Sequence, residues 1–154
     1  MRVLYYDVKK NEKIEKEVKA EKVSLEELLK RSDFVSIHVP LTEKTYHLIS
    51  EKQLNLMKPT AYLINTSQGP VIDERVLFRA LKEKKIAGAG LDVYENEPQI
   101  FPGLSDLNNT VLLPHIGSAS NETRSRMAVM AAENLIAALE GRTPPNIVNP
   151  EVLK

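Results

Sequence analysis

Cysteine is absent from the 154-residue chain, acidic and basic side chains are equal in number, and long apolar runs are missing. Without cysteine, disulfides, thiolate zinc sites and cysteine nucleophiles are excluded. With 21 Lys plus Arg against 21 Asp plus Glu, neither a nucleic-acid partner nor a basic partner is favoured. No apolar run approaches the roughly 18 residues of a membrane span, and no signal-peptide pattern opens the chain. We therefore expect a cytoplasmic protein without metal, nucleic-acid or membrane partners.

Short apolar runs alternate with helical patterns along the chain. Strands are predicted at 2–6, 33–39, 61–64, 86–91 and 111–113, with a minor edge strand at 21–23. Helices are predicted at 12–18 and after Ser24, Ser50 and Asp73, whose side chains are typical helix caps. A final helix over about 121–140 would bury Met127, Met130, Ala131, Leu135 and Leu139. This alternation predicts an α/β fold, in which a parallel sheet has helices on both faces.

Five candidate residues follow the predicted strands. Asp7, Pro40, Thr66, Asp92 and His115 each come after a strand end. Because right-handed crossovers bring the carboxyl ends of parallel strands to one edge, these residues should converge there. Open α/β sheets bind ligands at that edge. The sequence therefore predicts a ligand site at the carboxyl edge of the sheet.

His115 is the first candidate for chemistry, because the chain has only three histidines and this one lies between a strand and a helix. An inert histidine is the alternative from this stretch alone. A carboxylate bonded to His115 would raise the pKa of the imidazole and prepare it to donate a proton. Glu95 and Glu97 lie in a preceding loop, where solvent exposure is the default for Glu95, and spacing alone does not pair Glu97 with His115.

Three ordered segments resemble the signatures of the D-isomer-specific 2-hydroxyacid dehydrogenases, and are most similar to the glyoxylate and hydroxypyruvate reductases among them. The resemblance extends over essentially the whole chain. The segments are Asn65-Thr66-Ser67-Gln68-Gly69-Pro70-Val71-Ile72-Asp73, Gly90-Leu91-Asp92-Val93-Tyr94-Glu95-Asn96-Glu97-Pro98 and Pro114-His115-Ile116-Gly117-Ser118.

The resemblance implies an NAD-dependent oxidoreductase with a Rossmann-like fold. His115 would be the general acid that protonates the keto oxygen of a small 2-keto acid, and Glu97 would be its partner. Asp92 would face the nicotinamide carboxamide, and Asp7 would hold the adenosine ribose and select NAD over NADP. The other residues lining the cofactor, beside His115 itself, would be Pro40, Thr66, Ser67 and Gly117. A homo-oligomer, such as a dimer, is also expected.

Gln68 departs from the family, which has arginine at this position. That arginine grips the substrate carboxylate with two hydrogen bonds and polarises the carbonyl group, which a neutral amide does less well. Because a hydrogen bond to a charged group contributes roughly 1.5–3 kcal/mol, its loss should cost at least about tenfold in catalysis. Gln68 is therefore expected at the catalytic site, where it would donate one hydrogen bond and leave activity impaired.

The segment Met1–Asp7 is the second departure, because its counterpart in the family is internal. There it follows the first strand, the glycine-rich turn and the first helix of the nucleotide domain, and no G-x-G-x-x-G occurs in this chain. We expect an amino-terminally truncated Rossmann-like fold without that strand and turn. Residues 1–141 would form a partial NAD-binding domain with its closing helix. Residues 142–154 would form a tail that in the family returns to the substrate domain.

The missing first strand is central in the Rossmann order, so the strands beginning near Val3 and Asp33 would lose the neighbour between them. Since unsatisfied buried backbone groups cost roughly 1–3 kcal/mol each, we predict that these two strands pair directly or that another chain fills the gap. A different class of function also stays open. The chain could be a non-catalytic remnant that acts as a structural or oligomerising module.

Overall fold

The computed structural model describes residues 1–153 and contains six strands and five α-helices in them. The strands are β1 (Leu4–Tyr5), β2 (Glu21–Lys22), β3 (Phe34–Ile37), β4 (Tyr62–Asn65), β5 (Gly88–Leu91) and β6 (Thr110–Leu112). The helices are α1 (Glu12–Val18), α2 (Leu25–Arg31), α3 (Glu51–Leu54), α4 (Glu74–Lys82) and α5 (Asn121–Leu139). Short 3-10 turns lie at Gly69–Val71, Leu104–Asp106 and Pro150–Leu153.

A four-stranded parallel sheet, in the order β3-β4-β5-β6, forms the centre of the first of two units, Met1–His115. Its register pairs Phe34 with Tyr62 and Tyr62 with Gly88. α3 lies between β3 and β4 and α4 between β4 and β5, whereas a long loop with the 3-10 turn Leu104–Asp106 connects β5 to β6. Strands that run in one direction require crossover connections of this length. The expected α/β, Rossmann-like architecture is confirmed.

Side-chain caps begin the helices where the sequence predicts them. Ser24 Oγ accepts from the backbone N–H of Glu27 at 3.2 Å, and Asp73 Oδ1 accepts from that of Val76 at 3.0 Å. Each bond satisfies a donor that the first turn of a helix leaves without a partner. These caps fix where the helices leave the sheet, and with them the loops at the strand ends.

The apolar core lies between the four-stranded sheet and its helices. Leu29 of α2, Leu63 of β4 and Leu77 of α4 are each 0% exposed. They belong to one continuous cluster that also includes Ile49 and Leu104. Burying a leucine side chain stabilises the fold by about 1.5–3 kcal/mol, so this cluster holds the sheet and the loops at its ends.

β1 and β2 form a separate two-stranded parallel sheet, and β1 does not pair with β3. Of the two predicted alternatives, direct pairing of the strands near Val3 and Asp33 is therefore wrong, and a gap filled by another chain stays a prediction. Arg31 at the end of α2 bonds Glu21 of β2 at 3.0 and 3.1 Å, while Leu29 anchors α2 in the core. The helix thus holds the small sheet away from β3 and leaves a slot of about 790 Å³ between them.

The second unit begins at Ile116, and its described residues extend to 153. It is built on α5. Ser120 caps this helix, its Oγ accepting from the N–H of Thr123 at 3.1 Å. The predicted burial of its apolar side chains is wrong, because these residues are exposed and only Ala137 of α5 is buried. The exposed residues are Met127, Met130, Ala131, Leu135 and Leu139. Helical periodicity identifies an apolar face but does not say what covers it.

Within residues 1–153, no helix is both long enough and apolar enough to cross a membrane.

Gly69 provides a test of the packing at the sheet edge. A Cβ at Gly69 would lie 1.9 Å from the carbonyl oxygen of Tyr94, a backbone atom that cannot move aside without shifting its loop. We expect Gly69→Ala to lower the free energy of unfolding by at least about 2 kcal/mol, as overpacking does. Urea denaturation measures this change.

Gly90→Ala is the matched control, because a Cβ there meets no atom within 4 Å. Its unfolding free energy should be unchanged or slightly higher, since alanine is favoured over glycine in a strand. Equal stability of the two alanine variants would contradict the close approach of Gly69 to Tyr94.

Candidate functional site

The carboxyl edge of the four-stranded sheet collects most of the residues predicted for a site. Pro40 follows β3, Thr66 follows β4, Asp92 follows β5 and His115 follows β6. Pro40, Thr66 and His115 are exposed, whereas Asp92 is only 4% exposed. The parallel pairing of the strands brings these positions to one edge, which thus combines one buried carboxylate with three exposed residues.

His115 and Glu97 form a direct pair. Nδ1 of His115 lies 2.8 Å from Oε2 of Glu97, and the other oxygen of Glu97 accepts from the backbone N–H of Tyr94 at 3.0 Å. The hydrogen bond from Glu97, and then its charge, raise the pKa of His115 above the ordinary imidazole value, with a smaller contribution from Asp92. The same bond lowers the pKa of Glu97. The pair therefore favours an imidazolium beside a carboxylate.

The backbone around His115 is held in an unusual conformation. His115 has φ of 53°, in the left-handed region that residues other than glycine seldom adopt. Two residues before it, the carbonyl of Leu113 accepts from the hydroxyl of the buried Tyr94 at 2.8 Å. Strained backbone of this kind is concentrated at functional sites, where the surrounding structure holds it in place. Tyr94 thus supports both His115, through Leu113, and Glu97, through its own N–H.

Asn65, which sequence reasoning did not single out, organises the loop after β4. This side chain is 1% exposed, and its Oδ1 accepts from the N–H and the hydroxyl of Ser67, both at 3.1 Å. Its Nδ2 donates to the carbonyl of Gln68 at 2.9 Å. The amide thereby shapes the turn and leaves the Gln68 and Thr66 side chains exposed. The signal available in the sequence was an asparagine directly after the predicted strand 61–64, because asparagine side chains often bond nearby backbone groups.

Glu95 is not the solvent-exposed residue that the sequence suggested. Its Oε1 lies 2.7 Å from Nε2 of His47, and its Oε2 accepts from the N–H of Glu74 at 3.3 Å. Glu74, only 3% exposed, in turn accepts from the N–H of Glu95 at 2.8 Å. These reciprocal bonds join the loop that carries Glu97 to the start of α4. Partners this far apart in the chain give no local pattern, which is why sequence reasoning missed Glu74 and His47.

Two predicted positions belong to other elements of the fold. Asp7 follows β1 in the small sheet, where it is exposed and its Oδ1 accepts from the N–H of Lys9 at 3.0 Å. Gly117 is exposed and belongs to the second unit. The turn formed by Asp7 leaves one carboxylate oxygen for other partners, as a carboxylate has two.

Comparison with known proteins gives a consistent family. Residues 1–117 match the family described as D-isomer specific 2-hydroxyacid dehydrogenase, NAD binding domain. A glyoxylate reductase of Korarchaeum cryptofilum is 62% identical over 156 aligned positions, covering 100% of this chain and 47% of that protein. The chain thus spans about half the length of the curated relatives it matches.

Solved structures are also similar to this chain in fold and sequence. A glyoxylate reductase from Paecilomyes thermophila has a TM-score of 0.83 and 42% identity, over 93% of this chain and 44% of its own. A D-lactate dehydrogenase with NAD+ from Lactobacillus jensenii has a TM-score of 0.83 and 28% identity, over 96% of this chain and 48% of its own.

The His115–Glu97 pair predicts a measurable titration effect. Glu97→Gln keeps the size of the side chain but removes its charge, so the pKa of His115 should fall toward the ordinary imidazole value. An NMR titration of the His115 ring protons measures it. Glu95→Gln is the control, because that carboxylate pairs with His47 instead. An unchanged His115 titration in Glu97→Gln would contradict the pairing.

Glu74 predicts a pH dependence of stability. Burial, and then the charge of Glu95, raise the pKa of Glu74. A raised folded-state pKa means that this carboxyl stabilises the fold below its unfolded pKa, and that the stabilisation is lost as pH rises through the folded value. The stability of Glu74→Gln relative to the parent should therefore increase from about pH 4 to about pH 7.

Thermal unfolding across that pH range measures the effect. Glu83→Gln, at the exposed far end of α4, is the control. A stability difference between Glu74→Gln and the parent that falls with rising pH would contradict the effect of burial.

Proposed function

The chain belongs to the family of NAD binding domains of the D-isomer specific 2-hydroxyacid dehydrogenases, and we propose that its sheet edge carries the proton-donating part of a reductase site for small 2-keto acids. The observation that carries the proposal is the His115–Glu97 pair, with its 2.8 Å contact at the end of β6. The chain spans only 47% of the length of one glyoxylate reductase. That this chain has the activity of such an enzyme is therefore a part of the proposal.

The residues that follow the strand ends are compatible with NAD. Asp7 offers an exposed carboxylate to ribose hydroxyls, and its charge would disfavour a 2′-phosphate. Pro40, Thr66 and Ser67 follow the neighbouring strands β3 and β4, and Asp92 follows β5 near the pair. Gly117 lies two residues after His115 in the chain. We infer that these residues hold the cofactor, which supplies a hydride when bound.

His115 would donate the proton that a keto oxygen needs as it becomes a hydroxyl. Because Nδ1 faces Glu97, Nε2 is the ring nitrogen left to face a substrate. The imidazolium gives its Nε2 proton to the oxygen. The neutral ring keeps the proton on Nδ1, which donates a hydrogen bond to Glu97. Glu97 stabilises the charged ring before transfer and sets the tautomer afterwards, while its own bond to the N–H of Tyr94 fixes its position.

Gln68 would meet the substrate carboxylate. Its exposed amide can donate one hydrogen bond, whereas the guanidinium of an arginine would donate two and bring a positive charge. We infer that a small 2-keto acid such as glyoxylate or hydroxypyruvate binds weakly here. Turnover by this chain should therefore be lower than that of an enzyme with arginine at position 68.

A structural role is the second candidate. The exposed apolar residues of α5, such as Leu135 at 61% and Leu139 at 80%, favour an association surface, for example in a homo-oligomer. Association of this kind does not need His115 or Gln68, so substitutions at those positions separate the two functions.

Oxidation of NADH in the presence of glyoxylate tests the reductase proposal. We expect slow turnover by the parent and at least about tenfold higher kcat/KM for Gln68→Arg, because the charge-assisted bonds strengthen carbonyl polarisation. Gln68→Lys, which restores charge without the planar fork, should give a smaller gain. His115→Gln in the Gln68→Arg background should abolish turnover. The absence of turnover in both the parent and Gln68→Arg would reject catalysis by this chain alone.

A further inference from the structure

His47 is not among the residues proposed to hold cofactor or substrate, yet two loops of the sheet edge meet at this residue. Its φ of 49° lies in the left-handed region, which residues other than glycine seldom adopt. Strained backbone of this kind persists only where the surrounding structure determines it. The contacts that determine it here lie within the first unit and join His47 to the loops after β4 and β5.

The backbone of His47 is fixed to the loop after β4. The N–H of His47 donates to the carbonyl of Pro70 at 2.8 Å, and the N–H of Ile49 donates to the carbonyl of Val71 at 3.0 Å. The two segments therefore pair along their length. This pairing gives the His47 side chain a fixed starting point.

The imidazole of His47 reaches the loop after β5. Its Nε2 lies 2.7 Å from Oε1 of Glu95, whereas its Nδ1 lies 3.8 Å from Oδ2 of Asp73, too far for a hydrogen bond. Because an ionised carboxylate only accepts, Nε2 carries the proton in this contact and donates it to Glu95. The ring of Tyr46 stacks on the imidazole, with centroids 4.0 Å apart, and shields the contact from water on one face.

Glu95 transmits this constraint to Glu97. The other oxygen of Glu95 accepts from the N–H of Glu74 at 3.3 Å, and its own N–H donates to the carboxylate of Glu74 at 2.8 Å. Both the side chain and the backbone of Glu95 are therefore anchored, next to Tyr94 in the chain. The N–H of Tyr94 donates to Glu97 at 3.0 Å, and Glu97 in turn lies 2.8 Å from His115.

The anchor at Glu95 needs a donor because its other partner is a like charge. After burial, the charge of Glu95 is the main cause that raises the pKa of Glu74. Two carboxylates at this distance repel each other, and a donor on one of them offsets the repulsion. His47 supplies such a donor from a segment that is itself fixed.

We propose that His47 is a positioning residue of the proton-donating pair: by donating to Glu95 it fixes the loop 94–97, and so keeps Glu97 in contact with His115. The inference rests on the proposed function, in which that pair delivers the proton. Its test reads the pair directly and needs no turnover.

Four single variants separate the contact from other effects. His47→Leu removes the donor, whereas His47→Gln retains an amide N–H at about the reach of Nε2. Glu95→Gln keeps both contacts, because its amide accepts from the N–H of Glu74 and donates to the other tautomer of His47. His38→Leu is the matched control, because it removes a histidine that bonds Ser36 instead. Circular dichroism verifies the folding of each variant.

An NMR titration of His115 is the first measurement. The pKa of His115 should fall in His47→Leu, because Glu97 then spends less time in contact with the ring. It should keep the parent value in His47→Gln, Glu95→Gln and His38→Leu. Loss of a nearby positive charge would instead raise the pKa of His115, so the direction of the shift separates positioning from a direct charge effect.

Amide exchange at Tyr94 is the second measurement. It should be at least about tenfold faster in His47→Leu than in the parent, since a hydrogen bond to a charged group is lost from the same loop. Glu95→Ala breaks the same contact from the carboxylate side and should lower the pKa of His115 as well, which keeps the test decisive if His47→Leu does not fold. In the Glu95→Ala background, His47→Leu should cause no further change.

Three outcomes would overturn the proposal. The pKa of His115 in folded His47→Leu could equal or exceed that of the parent, or could fall as far in His47→Gln as in His47→Leu. Alternatively, His47→Leu could lower it further in the Glu95→Ala background. A failure to oxidise NADH would reject the proposed function and would leave each of these results unaffected.

Discussion

Parallel pairing of β3, β4, β5 and β6 is the constraint on which the arrangement of the site depends. Parallel strands require a helix or long loop between them, so every strand end on one edge is free to carry a loop. That edge receives a proline, a threonine, a buried aspartate and a histidine from four separate parts of the sequence. The fully buried leucines of the core hold these loops in place and have no reactive groups of their own.

A chain of contacts connects the core to His115. The carboxylates of Glu74, at the start of α4, and Glu95 each accept from the backbone N–H of the other residue. The hydroxyl of Tyr94 donates to the carbonyl of Leu113, and the carboxylate of Glu97 contacts the imidazole. The histidine itself is exposed and has a strained backbone, so its position depends on these neighbours. A proton donor must meet its substrate in a fixed orientation, and this support provides that orientation.

The sequence predicted the elements whose signals are local. Helix α1 was predicted at its observed limits, and the caps at Ser24 and Asp73 follow from side chains that bond the next turn. Partners that are distant in the chain were less accessible: exposure was expected for Glu95, and its contacts with His47 and Glu74 became visible only in the folded chain. The limit of the domain at residue 141 stays a prediction, as do the roles of the site residues.

The errors have a common physical origin. Periodicity indicates that a face is apolar, or that a strand needs a neighbour, but not which residues supply the cover. Direct pairing of β1 with β3 was one of two predicted alternatives, and burial of the apolar side chains of α5 was predicted outright; both placed the cover within this chain, where the structure does not supply it. The slot and the exposed helix instead leave those surfaces open in the chain.

The central claim is that His115 is oriented by Glu97 so that Nε2 donates the proton. The most direct test is a ¹⁵N–¹H correlation spectrum of the histidine ring nitrogens at a pH above the His115 titration. We expect the tautomer protonated at Nδ1, which donates its proton in a hydrogen bond to Glu97, with Nε2 unprotonated. A neutral His115 protonated at Nε2 would contradict it.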